Sequence, residues 1–416
     1  MIWLIGNRGM LGKELAGALS AAGLAFVGTD REVSILERGA LEEFARGKTF
    51  SWIVNCAAYT AVEKAEDEPE LAYRLNVEGP ENLALTARSL GGKFLHISTD
   101  YVFDGMGSKP YMEDDSVAPI GVYGWTKAEG EERVRATIPE HVIVRTAWLY
   151  GLHGPNFVYS MLKLMATKDR IGVVADQRGT PTWARDLAAA IVAIICCEEP
   201  RYGIFHFTNE GETTWHDFAV EIQRLGLEVG LLDRPCIIDA LTTAQYPTKV
   251  RRPAYSILSK AKISRVYGLK MTNWEQSLRE YLGGVSVILR RQRAWFARAD
   301  YDLKTAEVDL AAGQYRPALF WCQQGVEKYL KALIEFQDRP KAVHDLPKLA
   351  AYLELRTDRE TRRLFSDLSQ FYRDMRYDID AAGLDEELTA EFAGKVLAKT
   401  KEALEWIRSQ NRLPLK

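Results

Sequence analysis

The feature that most limits the fold is a change of texture at Gly283-Gly284. Before it, short apolar and β-branched runs alternate with helical stretches, the pattern of a parallel sheet covered by helices. Candidate strands are residues 3–5, 25–28, 52–55, 93–97 and 142–145. Each is near-continuously apolar, as a strand buried on both faces should be. Helical segments such as residues 11–22 and 80–89 lie between them. From Thr213 the texture loosens, with proline and aromatic residues around 245–255 and a short helix expected at 274–282. After Gly284 no strand signal returns except a brief one at 285–289, and amphipathic helices take over. Ala318, Trp321, Cys322, Gly325, Val326, Tyr329, Leu330 and Leu333 recur at helical spacing, with Gln323, Gln324, Glu327, Lys328 and Lys331 on the other face. Further helices are expected at 294–312, 346–355, 358–377 and 386–409.

The expected architecture is therefore an α/β, Rossmann-type doubly wound parallel sheet over residues 1–284. It carries a small substrate subdomain, largely from about 150–180 and 213–284. A short basic linker (285–293, with Arg290, Arg291 and Arg293) is expected to lead into an all-α helical bundle at 294–416. The charge balance is near neutral: 54 Lys and Arg stand against 57 Asp and Glu, and residues 285–416 hold 23 against 21. Neither part has the basic bias of a dedicated nucleic-acid binder. The apolar stretches, such as 187–197, are shorter than the roughly 18 residues that cross a bilayer. With no basic leader before the first strand, no membrane partner is expected. Five cysteines in no metal-ligand spacing fit a cytoplasmic chain.

Two motifs carry chemistry. Gly6-Asn7-Arg8-Gly9-Met10-Leu11-Gly12 leaves the first strand and opens the first helix. Glycines there let the backbone approach a pyrophosphate, whose charge the helix N-terminus stabilises. Asp30, at the end of the second strand, can bind the adenosine ribose hydroxyls and favours NADH, while Arg31 beside it can accept the 2′-phosphate of NADPH. The second motif is Tyr123-Gly124-Trp125-Thr126-Lys127, which puts a phenol and an ammonium one helical turn apart. The ammonium favours the phenolate and so prepares the tyrosine for acid–base work. Thr99, in the run His96 to Phe103 that leaves a strand, can hydrogen-bond a substrate carbonyl oxygen as charge develops on it.

Together with residues 55–66, the Ser98-Thr99-Asp100-Tyr101-Val102-Phe103 run and residues 145–151, 156–157, 176–182 and 251–253, these motifs resemble the extended short-chain dehydrogenase/reductases. Within that superfamily they resemble the dTDP-4-dehydrorhamnose reductases. The resemblance implies reduction of the C4 keto group of dTDP-4-dehydro-L-rhamnose by NADPH or NADH, giving dTDP-L-rhamnose. It implies a catalytic set of Thr99, Tyr123 and Lys127. The cofactor would lie along Gly6, Gly9, Met10, Leu11, Gly12, Asp30, Ala58, Tyr59, Thr60 and Lys127. The nucleotide sugar would meet Thr99, Asp100, Tyr123, Trp148, Asn156, Gln177 and Arg252. Trp148 also reads as a core tryptophan, and Arg251 and Arg252 as solvated charges. Ser34 stands where the family usually has Asp. Some relatives bind magnesium through glutamates at a dimer interface. Glu14 matches one of these, but the others are replaced near Arg185 and Gly284, so no metal is expected.

The C-terminal part resembles a HEPN domain in residues 318–333, in His344-Asp345-Leu346 and in residues 371–377. Arg339 and His344 have the spacing of an RNA-cleaving HEPN pair, with Pro340 at an atypical position; His344 also reads as a packing or capping residue. A homodimer is expected, with nucleic acid as a partner only through this part. Other readings on the same scaffold are an epimerase or dehydratase acting on another nucleotide sugar, a non-catalytic regulatory subunit, and a HEPN ribonuclease whose reductase half senses a nucleotide.

Overall fold

The computed structural model describes residues 1–246, 248–336, 343–377 and 388–410, with the backbone alone at 375–377. Two units follow one another along the chain, Met1–Gly283 and Gly284–Lys416.

In the first unit, β1 (Ile2–Ile5), β2 (Phe26–Thr29), β3 (Trp52–Asn55), β4 (Lys93–Thr99), β5 (His141–Thr146) and the strand Gly203–His206 form one six-stranded sheet. All the pairings are parallel, in the order β2-β1-β3-β4-β5 followed by Gly203–His206. Strand alternation divides the apolar side chains between two cores. Ile2, Leu4, Val54, Leu95 and Val144 pack with Leu11, Leu15 and Ile191 on one face. Trp3, Ile5, Ile53, Phe94 and Ile143 pack with Leu41, Leu83 and Val134 on the other. Both faces are covered, which is why the strands read as apolar runs rather than as alternating ones. Gly203–His206 gave no sequence signal, since it opens on Gly203 at φ +114 and holds only two apolar residues, Ile204 and Phe205.

The order of the sheet reverses between β1 and β3. In doubly wound folds the crevice for a ligand opens at such a point, beyond the carboxyl ends of the strands. Helix α1 (Met10–Ala21) follows β1, and helix α2 (Val122–Thr137) packs beside β4. Three small two-stranded pairings lie in the later part of this unit: Leu149–Tyr150 with Thr182–Trp183, Arg178–Gly179 with Thr213–Thr214, and Arg170–Val174 with Ile237–Leu241.

Residues 285–293, expected as a short basic linker, are helical, and residues 285–289 are not a strand. Both lie within one helix, Trp274–Ala311. No proline or glycine interrupts residues 285–312, so helix propagation meets no breaker there. In the second unit, helices Tyr315–Ile334, Leu346–Tyr352, Arg359–Tyr377 and Ala390–Ser409 follow. Cys322, Val326, Leu330 and Ile334, four residues apart, form one core with Leu346, Phe365, Leu368, Leu404 and Ile407. The face expected to be polar and solvated is partly buried instead: Gln323, Glu327 and Lys331 are all covered. They satisfy one another, since Glu327 accepts from Lys331 (2.6 Å) and from Gln323 (3.0 Å). Lys328 ion-pairs with the buried Asp302.

Candidate active site

The turn after β1 is shaped by lack of room. Gly6 sits at φ +73, and a Cβ there would lie 2.8 Å from the Ala57 nitrogen. A Cβ on Gly12 would lie 2.0 Å from the Gly6 carbonyl oxygen, so Gly12 lets α1 close onto the turn. This arrangement opens the N-terminus of α1 onto a cavity of about 730 Å³ at the switch point. Such a volume suits a small-molecule or cofactor site.

At one end of the cavity, the Asp30 carboxylate accepts the backbone N–H groups of Arg8 (3.2 Å) and Arg31 (2.9 Å). Glu32 stands beside it and pairs with Arg8 at 3.4 Å. Ala58 and Thr60 line the wall formed by the loop after β3. Asn76 anchors that loop through both the N–H and the carbonyl of Tyr59. The Tyr59 side chain itself donates to Glu68 (2.7 Å), which pushes its phenol up to about 12.

At the other end, Thr99, Asp100, Tyr123, Lys127 and Trp148 meet. The Thr99 hydroxyl donates to Asp100 (2.9 Å) and accepts from the Tyr101 N–H (3.1 Å). Burial pushes the Asp100 carboxyl up to about 6. Burial also pushes the Tyr123 phenol up to about 12, against the pull of its hydrogen bond with Thr99. Burial drives Lys127 down to about 8, opposed by the Glu131 carboxylate one turn further along α2. Lys127 Nζ donates to the Ile97 carbonyl (2.7 Å) and lies 3.1 Å from His96 Nε2. A phenol held protonated by burial and a lysine titrating at about 8 thus share one pocket.

Among the expected cofactor residues, Gly6, Gly9, Met10, Leu11, Asp30, Ala58, Thr60 and Lys127 line this cavity, while Gly12 and the Tyr59 ring do not. Three expected sugar contacts also lie outside its lining. Asn156 caps helix Phe157–Thr167 by accepting from Tyr159 (3.1 Å) and donates to the Gly151 carbonyl (2.9 Å). Gln177 donates to Thr243 (3.1 Å), and Arg252 pairs with Glu63 (3.0 Å). Trp148 reaches the cavity from a strained backbone at φ +47. One face of its ring is taken, since it stacks on Trp215 at 3.5 Å and 9°.

Sequence reasoning passed over Cys56, Ala57, Ser98, Thr146 and Ala147, which also line the cavity, as does Ser34. Their signal was available, because residues at the carboxyl ends of parallel strands face the crevice. The Ser98 hydroxyl is buried there with no hydrogen-bond partner, a polar atom poised for a ligand. With the glycine cradle, the open helix N-terminus and the Asp30 carboxylate, the cavity suits a dinucleotide.

Glu14 pairs with Arg185 at 3.6 Å. No group of three or more His, Cys, Asp or Glu among the described residues could hold a metal ion. Arg339 lies outside the described residues. His344 packs on Tyr372 (5.5 Å, 23°), places Nδ1 3.0 Å from Glu327, and leaves its side chain 49% exposed.

Comparison with known proteins agrees with this geometry. Residues 1–286 match the RmlD substrate binding domain, and residues 292–410 match the HEPN domain. A dTDP-4-dehydrorhamnose reductase from Aggregatibacter actinomycetemcomitans is 39% identical over 288 residues, covering 66% of this chain and 96% of that protein. The crystal structure of a dTDP-4-dehydrorhamnose reductase from Clostridium acetobutylicum is 41% identical with a TM-score of 0.64, covering 68% of this chain and 98% of its own. Another, from Bacillus anthracis in complex with NADP, is 34% identical with a TM-score of 0.63, covering 67% of this chain and 97% of its own.

Proposed function

Because this chain belongs to the RmlD family of dTDP-4-dehydrorhamnose reductases and carries a HEPN domain, we propose that it reduces the C4 keto group of dTDP-4-dehydro-L-rhamnose to dTDP-L-rhamnose. The observation that carries this reading is the meeting of Thr99, Tyr123 and Lys127 in the same cavity as the Gly6 turn and Asp30. The nicotinamide cofactor, NADPH or NADH, supplies the hydride when bound. The protein supplies the rest. Tyr123 is kept protonated by burial and gives its proton to the carbonyl oxygen as the alcohol forms. Thr99 positions the Tyr123 hydroxyl, and its own proton, which rests on Asp100, turns to the same oxygen when substrate is bound. Lys127 holds the nicotinamide ribose and balances the phenolate that Tyr123 becomes. Asp30 takes the adenosine ribose, and the α1 N-terminus takes the pyrophosphate.

The HEPN domain is read as an accessory for dimerisation or nucleotide binding; its buried Glu327 is held within the unit by Lys331, Gln323 and His344. No helix among the described residues is long and apolar enough to cross a membrane, and all five cysteines are free thiols, which supports a place in the cytoplasm.

The test is nicotinamide absorbance when the full chain meets dTDP-4-dehydro-L-rhamnose with NADPH, then with NADH. Stoichiometric oxidation is expected. Tyr123→Phe should lose at least about 10² in turnover while still binding cofactor. Near-normal turnover in that variant would overturn the role of Tyr123. No oxidation despite bound cofactor would move the reading to an epimerase or dehydratase.

A further inference from the structure

Trp148 reaches the cavity, but what fixes its ring lies outside it. Its backbone sits at φ +47, which a bulky side chain adopts only where the surroundings hold it there. Its carbonyl accepts the Thr182 N–H (3.2 Å), and the next two residues pair with Thr182–Trp183. The ring is held as firmly as the backbone. Trp215 stacks on one face, with centroids 3.5 Å apart and planes 9° from parallel. Trp215 is itself packed against Phe157 (4.5 Å, 51°) and Phe218 (6.4 Å, 41°). So close a stack leaves no room on that face for another group.

Gly179 holds the other face. A Cβ there would lie 2.5 Å from Cε2 of Trp148, 2.6 Å from Cζ2 and 2.8 Å from Nε1. Cζ2 and Nε1 flank Cε2, so a group approaching in the ring plane would come nearer to them than to Cε2. Gly179 therefore lies over a face, and a place between the two indoles would be nearer still to Trp215. The φ of Gly179 lies outside the left-handed region, so its backbone does not call for glycine. The indole calls for it. The two sides of the clamp are also tied to each other. Gly179 pairs with Thr213 and Arg178 with Thr214, and Thr214 caps the helix that Trp215 opens by accepting from Asp217 (3.0 Å). Neither Gly179 nor Trp215 lines the cavity, whereas Trp148 lines it together with Thr99 and Tyr123.

We propose that Gly179 and Trp215 are positioning residues for the keto-sugar end of the site: they clamp the Trp148 indole from its two faces, so that the wall meeting the sugar is set before substrate arrives. The inference rests on the reading given above, in which the keto sugar lies at the Thr99 and Tyr123 end of the cavity. A clamped ring has no rotamer freedom left to lose on binding, and ordering a side chain is otherwise part of what binding costs. The strain at Trp148 is likewise met by the fold and not by the substrate. The cofactor end, around the Gly6 turn and Asp30, draws nothing from this clamp.

The test adds one methyl group where none fits. Gly179→Ala should drive the indole from its place, since the ring cannot retreat through Trp215. In the full-length protein, the KM for dTDP-4-dehydro-L-rhamnose should rise by about tenfold or more, with a smaller change in kcat and an unchanged dissociation constant for NADPH. In a Trp148→Phe background the same substitution should add little, because the atoms it strikes are gone. Trp215→Ala should raise the same KM from the other face, and Trp215→Phe, which keeps a ring there, should raise it less. The place of the ring is read without substrate, by fluorine NMR of protein labelled with fluorotryptophan, Trp148→Phe identifying the signal. Gly179→Ala and Trp215→Ala should each move that line. An unchanged sugar KM, an effect of Gly179→Ala that persists without Trp148, an equal loss of NADPH affinity, or an unmoved fluorine line would each overturn the clamp. A wild type that fails to reduce the keto sugar would sink the reductase reading and leave the clamp to be judged on the fluorine signal.

Discussion

Replacing Asp100 tests the electrostatics of the site at the point where function and stability pull apart. Its carboxyl is buried at the end of β4, and burial pushes it from 3.8 up to about 6, although Thr99 and Ser256 hydrogen-bond to it. A carboxyl raised in this way keeps its proton in the folded chain between about pH 4 and 6, where the unfolded chain has released it. The free energy of unfolding therefore falls as pH rises through that window, and stays at the lower value above it. About two pH units at about 1.36 kcal/mol each come to about 3 kcal/mol. Asp100→Asn keeps an acceptor for the Thr99 hydroxyl and removes the ionisation. The variant should be more stable than the wild type by up to about 3 kcal/mol near pH 8, and by little near pH 4, where both side chains are neutral. The assay is urea unfolding of both full-length proteins across that range, followed by circular dichroism. The helical unit is common to both, so the difference between them reports on the first unit. Turnover should fall in the same variant, since a buried carboxylate beside Thr99 and Tyr123 is kept for chemistry at the expense of stability. An advantage that is missing near pH 8, or equal at both ends of the range, would refute the burial argument.

Two further outcomes follow from the cofactor end. Gly6→Ala places a Cβ 2.8 Å from the Ala57 nitrogen at a backbone φ of +73, so it should cost about 1–3 kcal/mol in thermal unfolding and weaken dinucleotide binding in titration calorimetry. Unchanged stability and affinity would show that the turn does not need glycine. The Asp30 carboxylate, with Glu32 beside it, repels a 2′-phosphate while Arg31, which also lines the cavity, attracts it, so both NADH and NADPH should serve. Asp30→Ser should raise kcat/KM for NADPH relative to NADH by about tenfold, a change of about 1.4 kcal/mol. A ratio that does not move would place the discrimination elsewhere.

What could be read from the sequence follows the physics of each element. β1, β3 and β5 are buried on both faces, so their apolar runs announce them without any partner in view. Tyr123 and Lys127 are visible for a different reason: one helical turn is a local distance, and spacing alone brings them together. The helical unit shows where periodicity stops. It sorted Gln323, Glu327 and Lys331 onto a polar face, but could not say that other helices and His344 cover that face. The helical state of the basic stretch at 285–293 is not legible from its charge, which is compatible with either state, whereas the absence of a breaker decides for helix.

Asn55 and His96 show the same limit from the other side. Each is a polar residue inside an apolar strand, which alone signals nothing more than a tolerated exception. They are 41 residues apart in the chain and become neighbours only through the register of β3 against β4. A slip of one residue would turn each side chain to the opposite face of the sheet and break the chain of hydrogen bonds to Lys127. The polar surroundings of a lysine on a helix are thus set in part by how two strands pair beneath it. Substitutions that disturb that register, even far from the cavity, should be felt in the pH dependence of turnover before they are felt in substrate affinity.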